Sequence, residues 1–341
     1  MENPNPDPTL NYQDKARGML LGLAIGDALG APVEFLPEPS DIHIKAMGDE
    51  IEHFHENYRA PKAVWTDDTE MALCLADSLL ANRGYDSYDI MTRFKSWSEA
   101  GYRTYDGKPA CDVGAQTARA IDEFTNYPVV WEDTPKTESA GNGAIMRLAP
   151  IIIANTFSNL KSTIDMSVLS CRETHNSTAA EATTALFATA LYYALHGSSK
   201  TEILGQLSRQ IESSSYHDFY LDNKDSLITR ALDKDEKQFQ NLGGYIVDTF
   251  AISLWGLINY DNFKNGMLAV IRLGGDADTN AACYGQLAGA YYGYQSIPEE
   301  WRTEVYLADE LVTISDDLLS LPSCPVLRTR FEDSPSFKEP E

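Results

Sequence analysis

The chain has 341 residues, with 27 basic and 51 acidic side chains, and a formal net charge of −24 at pH 7. This negative charge disfavours proteins that cover nucleic acid phosphates or anionic lipid, so we expect neither a nucleic acid nor a membrane as partner. Hydrophobic residues make up 43% of the sequence, which is enough for a packed core. Five cysteines, odd in number and without a CxxC pair, indicate a reduced, cytoplasmic protein without a disulfide framework.

Helical periodicity dominates the chain between a start rich in proline and asparagine, 1–9, and a tail, 322–341, which are both expected to be loosely attached. The first predicted helix, 15–30, carries Gly22, Gly26 and Gly30 four residues apart, so that a second helix can approach this side closely. Further helices are predicted for 69–82, 179–196, 246–260, 263–273, 279–294 and 300–319. The clearest strand-like run, 151–153, is too short to anchor a sheet. The longest nearly apolar stretches, such as 148–154, are far shorter than the roughly 20 residues of a membrane span. The sequence therefore predicts an all-α, compact single-domain helical bundle over 10–321.

Two acidic strings each directly precede a predicted helix: WTDDTEM at 65–71 and GGDADTN at 274–280. Each places two carboxylates and a hydroxyl at a helix N-terminus, where ordinary capping is one interpretation. Neither string contains a lysine or arginine, so a local charge of about −4 results if the two strings face each other in space. Two divalent cations would neutralise that charge, and ligands that are all oxygen favour Mg²⁺, Mn²⁺ or Ca²⁺ over zinc.

Seven strings spread in order along the chain resemble those of one known family, the ADP-ribosylglycohydrolases, which include the dinitrogenase reductase-activating glycohydrolase. They are GMLLGLAIGDALGAPVEF at 18–35, WTDDTEM at 65–71, DVGAQT at 112–117, GNGAIMRLAP at 141–150, THNSTAAEA at 174–182, GYIVD at 244–248 and GGDADTNA at 274–281. The resemblance implies a compact all-helical fold that binds two Mg²⁺ or Mn²⁺ ions.

The resemblance also implies which residues bind the metal ions. The six ligands come from the two acidic strings: Thr66, Asp67, Asp68, Asp276, Asp278 and Thr279. Glu34 matches a mobile glutamate that reaches the metals, and the catalytic candidates are Glu34, Asp67 and Asp68. Asp27, inside the glycine-rich helix, either holds the first acidic string or caps a neighbouring helix.

The substrate site implied by the resemblance begins with a glycine-rich loop whose backbone amides can cradle a pyrophosphate, although a simple turn is the alternative. The loop residues are Gly141, Asn142, Gly143, Ala144, Ile145 and Met146. His175 matches a histidine near the phosphates and ribose, but a buried structural histidine is the other interpretation. Arg147 either pairs with phosphate or forms a structural ion pair, and Tyr245 either stacks on adenine or packs in the core.

Asp112 matches a position where hydrolases of arginine-linked ADP-ribose carry an acid, and a carboxylate can accept two hydrogen bonds from a guanidinium. N-capping of a helix that begins at Val113 is the alternative. The predicted activity is metal-dependent hydrolysis at C1″ of the distal ribose, which releases ADP-ribose from a modified protein. Three alternatives stay open: a non-catalytic descendant of the fold, an immunity protein that reverses or blocks an ADP-ribosyltransferase toxin, and a hydrolase of small ADP-ribose derivatives or nucleosides.

Overall fold

The computed structural model describes residues 11–35, 52–57, 59–126, 138–239, 242–322 and 324–328, so the predicted loose start, 1–9, lies outside the described residues. The described residues are mostly helical, as predicted. The α-helices of the described residues are α1 Tyr12–Gly30, α2 Asp67–Asn82, α3 Ser87–Ala100, α4 Ala115–Asn126, α5 Ala149–Ala154, α6 Leu160–Arg172, α7 Thr178–Leu195, α8 Lys200–Ser213, α9 His217–Lys224, α10 Arg230–Leu232, α11 Ile246–Asn259, α12 Phe263–Arg272, α13 Ala277–Tyr292, α14 Glu299–Glu304 and α15 Ala308–Leu319. Two short strands, β1 Tyr85–Asp86 and β2 Val326–Arg328, pair in parallel.

Helices α1 and α13 lie backbone against backbone at the centre of the bundle. A Cβ atom added at Gly22 would lie 2.3 Å from the carbonyl oxygen of Gly285, and one at Gly26 would lie 2.1 Å from that of Ala281. Only glycine permits this approach, because any side chain would overlap the facing backbone. The prediction of a smooth glycine side that packs against another helix is therefore confirmed.

Helix α1 corrects one expectation from the sequence. The segment Tyr12–Val33 is long and apolar enough to cross a membrane by length and composition alone. In the structure, 89% of its most apolar window is buried inside the protein. A helix that is apolar on all sides is typical of the centre of a bundle, and α1 has this position here.

Three further elements differ from the sequence prediction. The strand-like run 151–153 lies in α5, which begins beside Pro150, and short apolar runs do not distinguish a strand from a buried helix. The predicted helix 300–319 is two helices, α14 and α15, separated by Leu307 in a left-handed conformation with a φ of 56°. Part of the predicted loose tail forms β2, which pairs with the strand that follows α2.

Candidate active site

Asp27 fixes the start of α2 from inside α1. Its Oδ1 accepts hydrogen bonds from the backbone amide and hydroxyl of Thr66, at 2.8 and 2.7 Å, and its Oδ2 accepts from those of Thr69, at 3.0 and 2.6 Å. Asp27 is fully buried, and this burial raises its pKa to about 6. Asp27 therefore has both roles considered for it, since the contacts that hold the first acidic string also cap the neighbouring helix α2. Because Asp27 already accepts hydrogen bonds from two backbone amides at the start of α2, the side chains of Asp67 and Asp68 are not needed to cap this helix.

A tight turn presents the second acidic string. Gly274 and Gly275 have φ values of 69° and 66°, a conformation that favours glycine, and a Cβ at Gly275 would lie 2.4 Å from the Leu242 carbonyl oxygen. Asp276 is the first residue before α13, yet its side chain makes no capping hydrogen bond. Its Oδ2 instead accepts from Nδ2 of Asn142 at 2.8 Å. Capping therefore does not account for the second string.

The two acidic strings meet in the structure, a condition that the sequence alone left open. Oγ1 of Thr279 donates to Oδ1 of Asp68 at 3.2 Å, which joins the start of α13 to the start of α2. Carboxylate oxygens of Glu34, Asp276 and Asp278 all lie within 4.8 Å of one another. Oδ2 of Asp68 is buried and has no hydrogen-bond partner among the described residues. Glu34, Asp276 and Asp278 border a cleft of about 320 Å³, whose lining also includes Asp67, Asp112 and Thr279.

Burial and mutual repulsion raise the pKa values of this carboxylate cluster. Burial, followed by the negative charge of Asp278, raises the pKa of Glu34 to about 9 and that of Asp276 to about 7. The pKa values of Asp67 and Asp68 lie well above the ordinary range, again mainly because of burial. A cluster of this kind binds positive charge strongly, since a cation removes the repulsion between the carboxylates.

Arg59 supplies positive charge to the cluster, and the sequence analysis did not identify it. Its guanidinium forms ion pairs with Glu34 and Asp112, and its Nη2 donates to Oδ2 of Asp278 at 2.9 Å. Only 8% of the residue is exposed. Arg59 belongs to neither acidic string, and the turn in which Oδ1 of Asn57 accepts from the Arg59 amide at 2.7 Å has no distinctive sequence signal.

The residues of the cluster fit a hard divalent cation. Every side chain that the resemblance assigns to the metals offers oxygen, and these oxygen ligands suit Mg²⁺ or Mn²⁺. The buried, unpartnered Oδ2 of Asp68 is a ligand atom without another function among the described residues. The Thr66 and Thr279 hydroxyls donate their protons to Asp27 and Asp68, so their oxygen lone pairs stay available to a cation.

The glycine-rich loop borders the cleft, but a smaller part of it than predicted is available to a ligand. Gly141, Asn142, Gly143 and Met146 line the cleft. Ala144 and Ile145 are completely buried behind it and do not line the cleft, so their contact with a ligand stays a prediction. The short 3₁₀ turn Asn142–Ala144 turns this part of the loop away from the cleft. The backbone amides of Ile145 and Met146 donate to the Asn142 carbonyl oxygen at 2.9 and 3.2 Å.

His175 lies beneath this loop. A Cβ added at Gly143 would lie 2.7 Å from Cε1 of His175, and one at Gly141 would lie 3.2 Å from Nε2. The imidazole is 3% exposed and lines the cleft. Burial, and then the charge of Arg147, lowers its pKa to about 3, so the ring is neutral near pH 7. A neutral imidazole can act as a hydrogen-bond donor at one ring nitrogen.

Three other predicted residues are placed as follows. Asp112 pairs with Arg59 and does not cap α4, which begins three residues later at Ala115. Tyr245 is 41% exposed, which excludes core packing, and it directly follows Gly244 in the cleft wall. Arg147 is completely buried and forms no ion pair with a described carboxylate, so both interpretations considered for it are wrong. Its guanidinium instead donates to the Ser170 carbonyl oxygen of α6 and to the Thr174 hydroxyl, and it lies over the ring of Phe94.

Comparisons with known proteins give one consistent result. Residues 8–325 match the ADP-ribosylglycohydrolase family. The chain is 33% identical to "ADP-ribosylarginine hydrolase Tri1" of Pseudomonas putida, over 89% of this chain and 78% of that protein. It is 30% identical to "ADP-ribosyl-[dinitrogen reductase] glycohydrolase" of Rhodospirillum rubrum, over 91% and 97% of the two chains. A solved structure described as an "ADP-ribosylglycohydrolase-related protein complex" is 34% identical, with a TM-score of 0.71 and coverage of 91% and 98%.

Proposed function

Because this chain belongs to the ADP-ribosylglycohydrolase family and is an ADP-ribosylhydrolase, we propose that it releases ADP-ribose from arginine side chains of modified proteins. The observation that carries the arginine preference is the ion pair between the Arg59 guanidinium and Asp112 at the edge of the cleft. The partly exposed carboxylate of Asp112 can bind a guanidinium. The modified arginine of a substrate also carries a guanidinium. The similarity to a protein named as an ADP-ribosylarginine hydrolase supports the same linkage.

The cleft has separate regions for the parts of the substrate. We assign the diphosphate to the surface formed by Gly141, Gly143 and His175. Because the two glycines have no side chains, their backbone and the His175 imidazole reach the cleft wall. Tyr245, exposed beside Gly244, is available to stack on adenine. The distal ribose then lies next to the carboxylate cluster, with the acceptor side chain towards Asp112.

Two divalent cations, Mg²⁺ or Mn²⁺, are part of the proposal, and their ligands would come from Thr66, Asp67, Asp68, Asp276, Asp278 and Thr279. When bound, such ions supply Lewis-acid polarisation and orient oxygen ligands. Among these residues, Asp276 is oriented by Asn142 and Thr66 is oriented by Asp27. These contacts assign Asn142 a positioning role towards the metal site in addition to its place in the cleft wall.

The reaction replaces the bond between C1″ and the arginine nitrogen with a bond between C1″ and a water oxygen. Positive charge that develops at C1″ is stabilised by the nearby carboxylates. One proton of the water goes to a carboxylate and from there to the leaving guanidine, which takes the electrons of the broken bond. We assign this transfer to Asp67, because it lines the cleft while Asp68 is buried and bound to Thr279.

Substitution of Asp112 tests the linkage. We expect the wild type to release ADP-ribose faster from arginine-linked than from serine-linked substrate, and Asp112→Asn to lower kcat/KM for the arginine linkage by roughly tenfold or more, since a charge-assisted hydrogen bond is lost. Asp106→Asn, which alters an exposed carboxylate paired with Lys108, is the control and should leave both rates unchanged. Faster release from serine by the wild type would exclude the arginine preference.

A further inference from the structure

We propose that Arg147 and Thr174 are positioning residues that hold the His175 imidazole with its proton on Nε2, facing the cleft. This inference rests on the proposed binding of an ADP-ribosyl diphosphate at His175. It assigns a role to a fully buried arginine that has no ion pair among the described residues.

The three residues form a continuous chain of hydrogen bonds. Nη2 of Arg147 donates to Oγ1 of Thr174 at 2.6 Å and to the carbonyl oxygen of Ser170 at 3.2 Å. Oγ1 of Thr174 lies 2.7 Å from Nδ1 of His175. All three side chains that form this chain are at least 96% buried, so water does not compete for these contacts.

The chemistry of the three groups fixes the direction of the hydrogen bonds. A guanidinium only donates, so Oγ1 of Thr174 must accept from Arg147. The hydroxyl proton of Thr174 then needs an acceptor, and Nδ1 of His175 is the one within hydrogen-bonding distance among the described residues. Nδ1 is therefore the acceptor nitrogen, and the single proton of the neutral ring lies on Nε2.

Nε2 is the ring atom at the glycine loop. It lies 3.2 and 3.1 Å from the positions where Cβ atoms on Gly141 and Gly143 would stand, and it has no hydrogen-bond partner among the described residues. Burial and the charge of Arg147 lower the pKa of His175, so the ring stays neutral over the physiological pH range. Nε2 then acts as the hydrogen-bond donor of this neutral ring. An oxygen of the diphosphate is the matching acceptor, since it is negatively charged and carries no proton at neutral pH.

Nitrogen-15 spectra of the histidine rings test the tautomer directly in the protein without ligand. The His175 signals are identified by their absence in His175→Gln. We expect an unprotonated Nδ1 and a protonated Nε2 in the wild type, the same pattern in Thr174→Ser, and a mixture of tautomers in Thr174→Val, which has the same shape but no hydroxyl. A wild-type ring protonated on Nδ1, or a Thr174→Val ring identical to the wild type, would overturn the proposal.

Calorimetric binding of free ADP-ribose separates this inference from the proposed function. We expect Thr174→Val to raise the Kd by about tenfold and Thr174→Ser to stay within about twofold of the wild type, because one charge-assisted hydrogen bond is weakened. An unchanged Kd in Thr174→Val would contradict the role of the relay in ligand binding. A wild type that does not bind ADP-ribose would reject the proposed function, while the ring spectra would still decide the tautomer.

Discussion

Arg59 changes the electrostatic description of the cleft at the scale of single residues. The two acidic strings contain no basic residue, yet the folded chain brings a guanidinium against Glu34, Asp112 and Asp278. The carboxylates of the metal-free protein are therefore partly compensated by an internal cation. Any metal ion that uses Asp278 as a ligand has to compete with Arg59 for that oxygen.

Replacement of Arg59 by glutamine should have opposite effects on the metal-free and the metal-bound protein. In excess chelator, we expect Arg59→Gln to lower the free energy of unfolding by about 3 kcal/mol, since buried carboxylates lose their cationic partner. We expect the affinity for Mn²⁺, measured by calorimetric titration, to rise by roughly tenfold, because the competing cation is gone.

Arg103→Gln is the matched control for this experiment. Arg103 also pairs with two carboxylates, Asp77 and Glu310, but these lie outside the cleft lining. Its loss should lower stability without a change in Mn²⁺ affinity. Weaker Mn²⁺ binding by Arg59→Gln would show that the guanidinium supports the metal site and does not compete with it.

At the scale of helices, the contact between α1 and α13 depends on glycines at their interface. We expect Gly26→Ala to lower the free energy of unfolding by about 2–3 kcal/mol, because its Cβ would lie 2.1 Å from the Ala281 carbonyl oxygen and the helices must separate. Since Asp27 lies on α1 and Asp278 on α13, the same variant should also bind Mn²⁺ more weakly. Denaturant unfolding and calorimetric titration measure the two effects.

Gly205→Ala makes the same substitution where there is space. Gly205 is an exposed glycine of α8, and a Cβ there meets nothing within 4 Å. We expect this variant to gain about 0.5–1 kcal/mol of stability, because alanine loses less chain entropy than glycine when a helix forms. A Gly26→Ala variant that is equally stabilised would contradict the close packing of α1 and α13.

Helix α2 could be predicted from its apolar period and α7 from a run that is apolar around much of its surface, and the ends of both were correct to within two residues. Helices α3, α4, α6 and α8 were not predicted, since their exposed faces are polar and their apolar residues are sparse. The acidic strings were found because their residues are adjacent in sequence. Arg59 and the Arg147–Thr174 contact were not, because such pairings depend on tertiary packing. The cytoplasmic location and a toxin counterpart stay predictions from the sequence.

Removal of metal tests the molecule as a whole. We expect chelation to abolish ADP-ribose release and to lower the Tm, since ligand at 100 times its Kd stabilises a folded protein by about 2.7 kcal/mol. The loss of stability should be larger in Arg59→Gln than in the wild type, because the internal cation is then absent from the chelated state. The Tm is followed by differential scanning calorimetry with and without Mg²⁺. Full turnover in excess chelator would contradict the two-metal proposal.

The packing of α1 on α13 has a consequence for the order in which the protein is made. The first half of the carboxylate cluster, Asp67 and Asp68, precedes the second half, Asp276 and Asp278, by about 210 residues of sequence. A nascent chain that has emerged only as far as α12 contains Asp67 and Asp68 but lacks Asp276 and Asp278. Such long-range contacts form late in folding. The two halves of the glycoside-cleaving centre can therefore meet only after synthesis has passed the start of α13.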